Sequence, residues 1–314
     1  MVEVPPVSGK HFMSLYSVAK QFVPLSWKIK AHSVLKGRRE KSHQFTERRK
    51  TLTLCQPLAD PGNKLVKLVK LQGFEMYVMT TDYIGQAILG SGDYEPHVTS
   101  VVVNTLKTGD VFLDLGANLG YYSLLAANLV GNSGKVIAIE PGPQNLQLLY
   151  ASILRNNFSN ITVYPFAASD DLQIIKLLTI GSNAGVVTPL SPHKTFHLLA
   201  QAIMLDSLLQ GEQRIDLVKI DVEAHEPFAL RGMDELIRKH RPAIITEFHP
   251  YIMEANNHID PENYLKQIEA YGYRLSIIDL SGQIIDGPDS SFVMSFWRDL
   301  NQELKHLDLL ARPI

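Results

Sequence analysis

The sequence predicts an α/β protein: a Rossmann-like, seven-stranded sheet with helices on both faces, preceded by an N-terminal, mainly helical extension. Three observations predict it. From Val111 onward, short apolar runs alternate with stretches of helical spacing, the rhythm of parallel strands joined by helical crossovers. The first of these runs, Val111–Leu115, breaks at Gly116 and hands over to an apolar helical face at Leu119, Leu124, Leu125 and Leu129. Near the far end, the turns Ser281-Gly282 and Gly287-Pro288 have no helix-sized apolar stripe between them, which implies an antiparallel terminal strand.

Composition bounds the rest. The chain has 314 residues, 45% of them hydrophobic and 20% charged, enough for one large α/β domain and an extension. The formal net charge of −2 implies no polyelectrolyte partner. The single cysteine, Cys55, excludes an intrachain disulfide and a cysteine zinc cluster, and fits a reducing, cytoplasmic setting. The start of the chain carries Glu3 and Pro5-Pro6 and lacks a continuous apolar core, so no signal peptide is expected. No uncharged apolar run is long enough for a transmembrane segment.

Residues 1–60 read as an extension apart from the α/β pattern, helical from Phe12 to Pro24 and then basic, from Lys28 and Lys30 to Arg48, Arg49 and Lys50. That stretch fits a solvated helical face, or attraction to a membrane surface or an anionic acceptor. It lacks the interleaved aromatics of a nucleic-acid platform, so no nucleic-acid partner is expected. The turn cluster Asp60-Pro61-Gly62-Asn63 places a boundary there. Residues 61–314 then form the second domain, with 61–106 as a cap and lead-in and 107–298 as the core.

In the lead-in, Lys64–Leu71 and Phe74–Thr80 read as two strands joined at Gln72-Gly73, and Asp82–Leu89 and Pro96–Leu106 as helices. Between the helices, the loop from Gly90 to Pro96 is placed to cover a ligand. In the core, strands are expected at Val111–Leu115, Lys135–Glu140, Ile161–Phe166, Ile215–Asp221, Ala243–Phe248, Arg274–Ile278 and Phe292–Trp297. Helices are expected at Asn118–Leu129, Pro143–Asn156, Glu226–Arg238 and Pro261–Tyr271. Residues 172–205 break the rhythm: Ile174–Ile180 reads as an inserted strand and Gly181–Gly185 as a loose loop.

Ligands of open α/β sheets lie beyond the carboxyl ends of the strands. The first strand leads into Asp114-x-Gly116-x-Asn118-x-Gly120, which lacks the middle glycine of a dinucleotide fingerprint. A carboxylate at Asp114 repels phosphate and attracts a cation, which suits the sulfonium and ammonium of S-adenosyl-L-methionine. Glu140, about 24 residues past Gly116, stands where an acid accepts hydrogen bonds from ribose hydroxyls. The small residues Ala167, Ala168 and Ser169 end the third strand, where a flat adenine could lie. The fourth strand ends at Asp221, with Glu223 and His225 beyond it, and the fifth at Glu247 and His249.

Asp114 to Ser123, Ile139-Glu140-Pro141, Leu217 to Glu223 and Thr246-Glu247-Phe248-His249, in this order, resemble the FkbM-type S-adenosylmethionine-dependent methyltransferases; Tyr94-Glu95 matches that family's Tyr-Glu pair. The resemblance covers about residues 80 to 297. It implies a class I methyltransferase fold and methyl transfer, usually to a hydroxyl of a natural product or sugar. It places Tyr94, Glu95, Asp114, Gly116, Ala117, Asn118, Gly120, Tyr121, Glu140, Pro141, Asn145, Ala168 and Asp221 at the cofactor. The family generally has glycine after Asp-Val-Glu; here Ala224 and His225 follow, a departure on the acceptor side.

For the chemistry, His225 and His249 are the candidate bases by type, and Asp221 and Glu247 join them as candidate catalytic residues. Asp221, Glu223 and Glu247 leave a divalent metal open without establishing it. The expected partner is a small hydroxyl-bearing acceptor, and a homodimer is left open. Two other classes compete: an NAD(P)-dependent oxidoreductase on a similar sheet, opposed by Asn118 and Asp114, and a non-catalytic S-adenosylmethionine-binding protein, opposed by the intact acids.

Overall fold

The structure, a computed structural model, describes residues 65–180, 183–186, 197–300 and 306–314. The expected extension over residues 1–60, its basic stretch, Cys55 and the turn at Asp60–Asn63 lie outside the described residues.

The described chain opens with an antiparallel hairpin, β1 (Val66–Lys70) and β2 (Glu75–Met79), followed by helices α1 (Tyr83–Ser91) and α2 (Pro96–Thr105). Asp82 caps α1 by accepting the N–H of Gly85, and Gly92 ends it in a left-handed conformation, the usual chemistry at both helix ends. The α/β pattern then runs β3 (Val111–Leu115), α3 (Tyr121–Val130), β4 (Lys135–Ile139), α4 (Pro143–Asn156) and β5 (Ile161–Tyr164). Helix α4 also closes the open edge of the hairpin: Asn156 and Ser152 accept the N–H groups of Glu75 and Tyr77 at 2.7 and 3.0 Å.

Next come β6 (Ala167–Ala168), β7 (Gln173–Ile180), β8 (Asn183–Val186) and β9 (His197–Ile203), which form a separate small sheet in the order β6-β9-β7-β8. The chain continues through α5 (Leu205–Leu208), β10 (Leu217–Ile220), α6 (Glu226–Arg231), α7 (Asp234–His240), β11 (Ala243–Phe248), α8 (Pro250–Asn257), α9 (Pro261–Ala270), β12 (Tyr273–Ile278), β13 (Ile284–Asp286), α10 (Ser290–Asp299) and β14 (Leu307–Pro313). The main sheet has the order β13-β12-β14-β11-β10-β3-β4-β5. Strands β11, β10, β3, β4 and β5 are parallel, and β14 is inserted antiparallel between β11 and β12.

Both faces of this sheet are covered, so its strands are apolar on both sides. Phe112, Val136, Leu217 and Ile245 pack with the hairpin, α1, α2 and α3 on one face. Leu113, Ile137, Ile220 and Ile244 pack with α6, α7, α9 and α10 on the other. This is the α/β sheet with helices on both faces that the sequence predicts.

Four expectations are corrected. Phe292–Trp297 is helical, not the last strand. Its apolar residues Phe292, Val293, Phe296 and Trp297 recur one and four apart, and Asp289 caps the helix by accepting the N–H of Phe292. The antiparallel strand is β14, so the sheet has eight strands rather than seven once the short β13 is included. Residues 183–186 pair with β7 instead of forming a loose loop. The expected helix Glu226–Arg238 is two helices, interrupted at Gly232, where a Cβ would meet the backbone oxygen of Ser169 at 1.9 Å.

Candidate functional site

A cleft with about 980 Å³ of space, counting its open mouth, lies beyond the carboxyl ends of β3, β4, β10 and β11. Ala167, Ala168 and Leu177 of the small sheet form one wall, and Tyr94 and Glu95, just ahead of α2, form another.

The turn after β3 sets one end. Gly116 has φ +78°, and a Cβ there would lie 1.8 Å from the backbone oxygen of Asp221, so only glycine lets β3 and β10 approach this closely. The N–H groups of Gly116 and Ala117 both bond the Ile139 carbonyl, which ties the turn to β4. Glu140 follows directly, buried and facing the cleft. One of its oxygens accepts the N–H of Asn118 at 2.8 Å; the other accepts the N–H of Gly142 at 2.6 Å and the Asn145 amide at 3.2 Å. Burial raises its pKa to about 7, against these three donors. The carboxylate is therefore oriented before any ligand arrives.

The floor is a charge cluster around Lys219. This buried ammonium lies 2.6 Å from Asp221 and 4.6 Å from the ring centre of Tyr122, and its register partner on β3 is Asp114. Burial alone would lower its pKa, but Asp221, Glu95 and Asp114 hold it above the usual lysine value. The Tyr122 hydroxyl donates to Glu95 at 2.8 Å. Glu95 has φ +43° immediately before Pro96, where the preceding residue normally avoids helical conformations. Tyr94, Tyr121 and Tyr122 meet edge to face around this corner.

Past β10 the backbone is strained. Glu223 and Ala224 have φ +57° and +67°, two successive left-handed residues of which neither is glycine. Glu226 holds them: its Oε1 accepts the N–H groups of Val222 and Ala224 at 3.0 and 3.2 Å. Burial raises Glu226 to about 8, so the group is neutral at pH 7, and its Oε2 has no partner. Glu223 lines the cleft, with a pKa raised to about 7 by burial and by Asp221.

His225 lines the cleft, stacks on Phe228 and shares a 3.1 Å hydrogen bond with Ser169. Burial lowers its pKa to about 4, so the imidazole is neutral at pH 7. Glu247 lines the cleft 3.6 Å from His306, with its pKa raised well above the carboxylate range by burial, Asp221 and Glu226.

Of the residues the sequence assigns to this region, Tyr94, Glu95, Gly116, Ala117, Asn118, Tyr121, Glu140, Pro141, Asn145, Ala168, Asp221, His225 and Glu247 line one cleft. Three do not. Asp114 is buried beneath it, accepting the Ser123 hydroxyl at 2.6 Å, because its strand position points it into the protein and not past the strand end. Gly120 serves packing, since a Cβ there would meet Leu149 at 2.3 Å. His249 begins α8 and accepts the N–H of Ile252 at 3.4 Å. β10 and β11 are neighbours as expected, yet only His225 of the two histidines reaches the cleft. Sequence reasoning assigned no role to Lys219, although a lysine within the apolar run Leu217–Ile220 was the signal. Among the described residues, no three His, Cys, Asp or Glu side chains group to hold a metal, so Asp221, Glu223 and Glu247 do not form a metal set.

An open sheet with a glycine turn and acids at its strand ends defines a protein that binds a nucleoside-bearing cofactor. Residues 114–275, just over half of the chain, match the Methyltransferase FkbM domain, and the chain belongs to that family. S-adenosyl-L-methionine is accordingly its cofactor. The cleft fits that group: a fixed acid for the ribose, a bare glycine turn and, among the described residues, four further lining acids for a cationic amino-acid end against one lysine, itself paired.

Over 70 residues the chain is 33% identical to the protein-L-isoaspartate O-methyltransferase of Methanococcoides burtonii, covering 22% of this chain and 34% of that protein. Over 91 residues it is 33% identical to protein-L-isoaspartate O-methyltransferase 2 of Archaeoglobus fulgidus, covering 28% and 40%. The chain thus matches between a third and two fifths of the length of these relatives. The crystal structure of methyltransferase FkbM from Methylobacillus flagellatus aligns with a TM-score of 0.42 and 18% identity, covering 66% of this chain and 44% of that one.

Proposed function

We propose that the protein is an S-adenosylmethionine-dependent O-methyltransferase that methylates a hydroxyl of a small molecule, a sugar or another natural product. The observation that carries the cofactor half is Glu140: a buried carboxylate, fixed by three protein donors beside the Gly116 turn, with one lone pair left for a ribose hydroxyl. Tyr94, Glu95, Ala117, Asn118, Tyr121, Pro141, Asn145 and Ala168 enclose the ligand, and the Lys219–Asp221 pair bounds its amino-acid end.

The acceptor half lies toward Asp221, Glu223 and Glu247, whose oxygens accept hydrogen bonds from hydroxyl groups. When bound, the cofactor supplies a methyl carbon activated by its sulfonium. The protein's part is to align the acceptor oxygen with that carbon and to receive the hydroxyl proton. A nicotinamide dinucleotide fits poorly, because its phosphates would face carboxylates and, among the described residues, no arginine lines the cleft.

The proposal extends to a cytoplasmic protein, alone or as a homodimer, in natural-product biosynthesis, with residues 1–60 as a separate extension. No described helix is long and apolar enough to cross a membrane. Incubating the protein with S-adenosylmethionine and a panel of sugar and phenolic hydroxyl acceptors tests the reaction. The expected product is heavier by one methylene and labile only to ether cleavage. Products methylated solely on nitrogen or carbon would contradict the O-methyl assignment.

A further inference from the structure

We propose that Glu223 is the acceptor-side base of the transfer, presented to the cleft by the left-handed pair Glu223–Ala224. The inference rests on the methyltransferase reading of the cleft and adds a role to one residue of it.

A base needs a free lone pair facing the acceptor. Among the described residues, five carboxylates line the cleft, and four of them have at least one oxygen held by, or close to, a protein partner. Glu140 holds three protein donors. Glu95 accepts the Tyr122 hydroxyl, and Asp221 is paired with Lys219. Glu247 faces His306 at 3.6 Å. Glu223 makes no hydrogen bond and no ion pair with the described residues. His225 has one ring nitrogen on Ser169, while the other is enclosed without a partner, so neither is offered to the cleft.

The backbone explains why Glu223 stands apart. Its φ of +57° turns the chain away from the line of β10, and the following left-handed Ala224 completes the turn. Left-handed conformations of residues other than glycine are strained and persist only where the surrounding structure holds them. Glu226, through the N–H groups of Val222 and Ala224, holds them in place.

The charged and titratable groups around Glu223 are Asp221 and Lys219 from β10, Glu95 from ahead of α2, Glu226 of α6 and Glu247 of β11. Burial and Asp221 bring Glu223 to about 7, suited to taking a proton near neutrality. In the step, the acceptor oxygen forms a bond to the methyl carbon while the carbon–sulfur bond breaks, its electron pair passing to sulfur. The hydroxyl proton passes to the Glu223 carboxylate, and solvent later removes it.

The test needs no acceptor. Dissociation constants for S-adenosylmethionine and S-adenosylhomocysteine are measured by calorimetry on wild type, Glu223→Gln and Glu247→Gln, from about pH 5.5 to 8.5. The ligands' own ionisation is common to all three proteins and cancels between them. In wild type, preference for the sulfonium over the thioether rises roughly three- to tenfold as Glu223 ionises through about pH 7. Glu140, at about 7, and Asp114, at about 6, titrate alike in all three proteins. Glu223→Gln loses the share of that rise due to Glu223 while binding S-adenosylhomocysteine within about twofold of wild type, and Glu247→Gln keeps the whole rise. A rise absent from wild type, undiminished in Glu223→Gln or diminished only in Glu247→Gln overturns the assignment. Wild type that binds neither ligand overturns the methyltransferase reading itself, and the base with it.

Discussion

The Lys219 ammonium of β10 lies 2.6 Å from the carboxylate of Asp221, just past the strand end, and over the ring of Tyr122, so one acid of the cleft is paired from within the sheet. Removing that cation leaves Asp221, Glu95 and Asp114 without their shared counter-charge. Lys219→Met is expected to lower stability by about 3 kcal/mol, as when one partner of a buried pair is lost. Lys219→Arg should recover part of it. Urea denaturation of the three proteins checks this, and an unchanged midpoint for Lys219→Met would show that the pair contributes nothing.

Gly116 separates two backbones that a side chain would force apart, since a Cβ would sit 1.8 Å from the Asp221 carbonyl oxygen. Gly116→Ala is expected to lose about 3 kcal/mol or more, together with cofactor binding. Thermal unfolding and a binding titration read the two effects; normal binding by the variant would contradict the close approach of β3 and β10.

Ala224 stands where the family generally has glycine, at φ +67° and fully buried. Ala224→Gly exchanges relief of strain for a lost methyl contact and a freer unfolded chain, and should stay within about 1 kcal/mol of wild type. Ala224→Val, β-branched in a left-handed conformation and a packed site, should lose about 2–4 kcal/mol. Chemical denaturation distinguishes them; equal stability of the two variants would rule out the strain.

The buried acids set the pH dependence of stability. Glu226 titrates at about 8 in the folded protein, well above an unfolded glutamate. Between those values the folded chain keeps a proton that the unfolded chain has released, so stability falls as pH rises, by at most about 1.4 kcal/mol per unit. Glu140 and Glu223, at about 7, and Asp114, at about 6, act in the same direction. The Tm should therefore drop between about pH 5 and 8, and Glu226→Gln should flatten part of that drop. A Tm that rises over this range would contradict the burial of these groups.

Every described residue lining the cleft lies at position 84 or later, and the described hairpin begins at Val66. A chain of residues 61–314 is expected to fold cooperatively and to bind S-adenosylhomocysteine as the full chain does. Loss of the thermal transition would place residues 1–60 in the core.

Much of this was legible in the sequence because it is periodic or covalently local. Apolar runs at β3, β4, β10 and β11 mark strands buried on both faces, and a strand-ending acid such as Glu140 is fixed in place by the turn beside it. What stayed hidden depends on distant partners. The aromatic run Phe292–Trp297 has both strand composition and helical spacing, and its cap and packing decide for the helix. β14 is short, and only its insertion between β11 and β12 gives it a role. Asp114 and His249 belong to the right motifs but point elsewhere. Lys219 emerges as central only once Asp221, Tyr122 and Glu95 are seen around it.

The account turns on Glu140 receiving the cofactor ribose in this cleft. Calorimetric titration of wild type and Glu140→Ala with S-adenosylhomocysteine and with NAD tests that most directly. The expected result is saturable binding of S-adenosylhomocysteine, none of NAD, and a loss of about 1.5–3 kcal/mol in the variant, roughly ten- to hundredfold in Kd, with the fold retained. Binding of NAD in place of S-adenosylhomocysteine, or a folded Glu140→Ala protein with unchanged affinity, would contradict it.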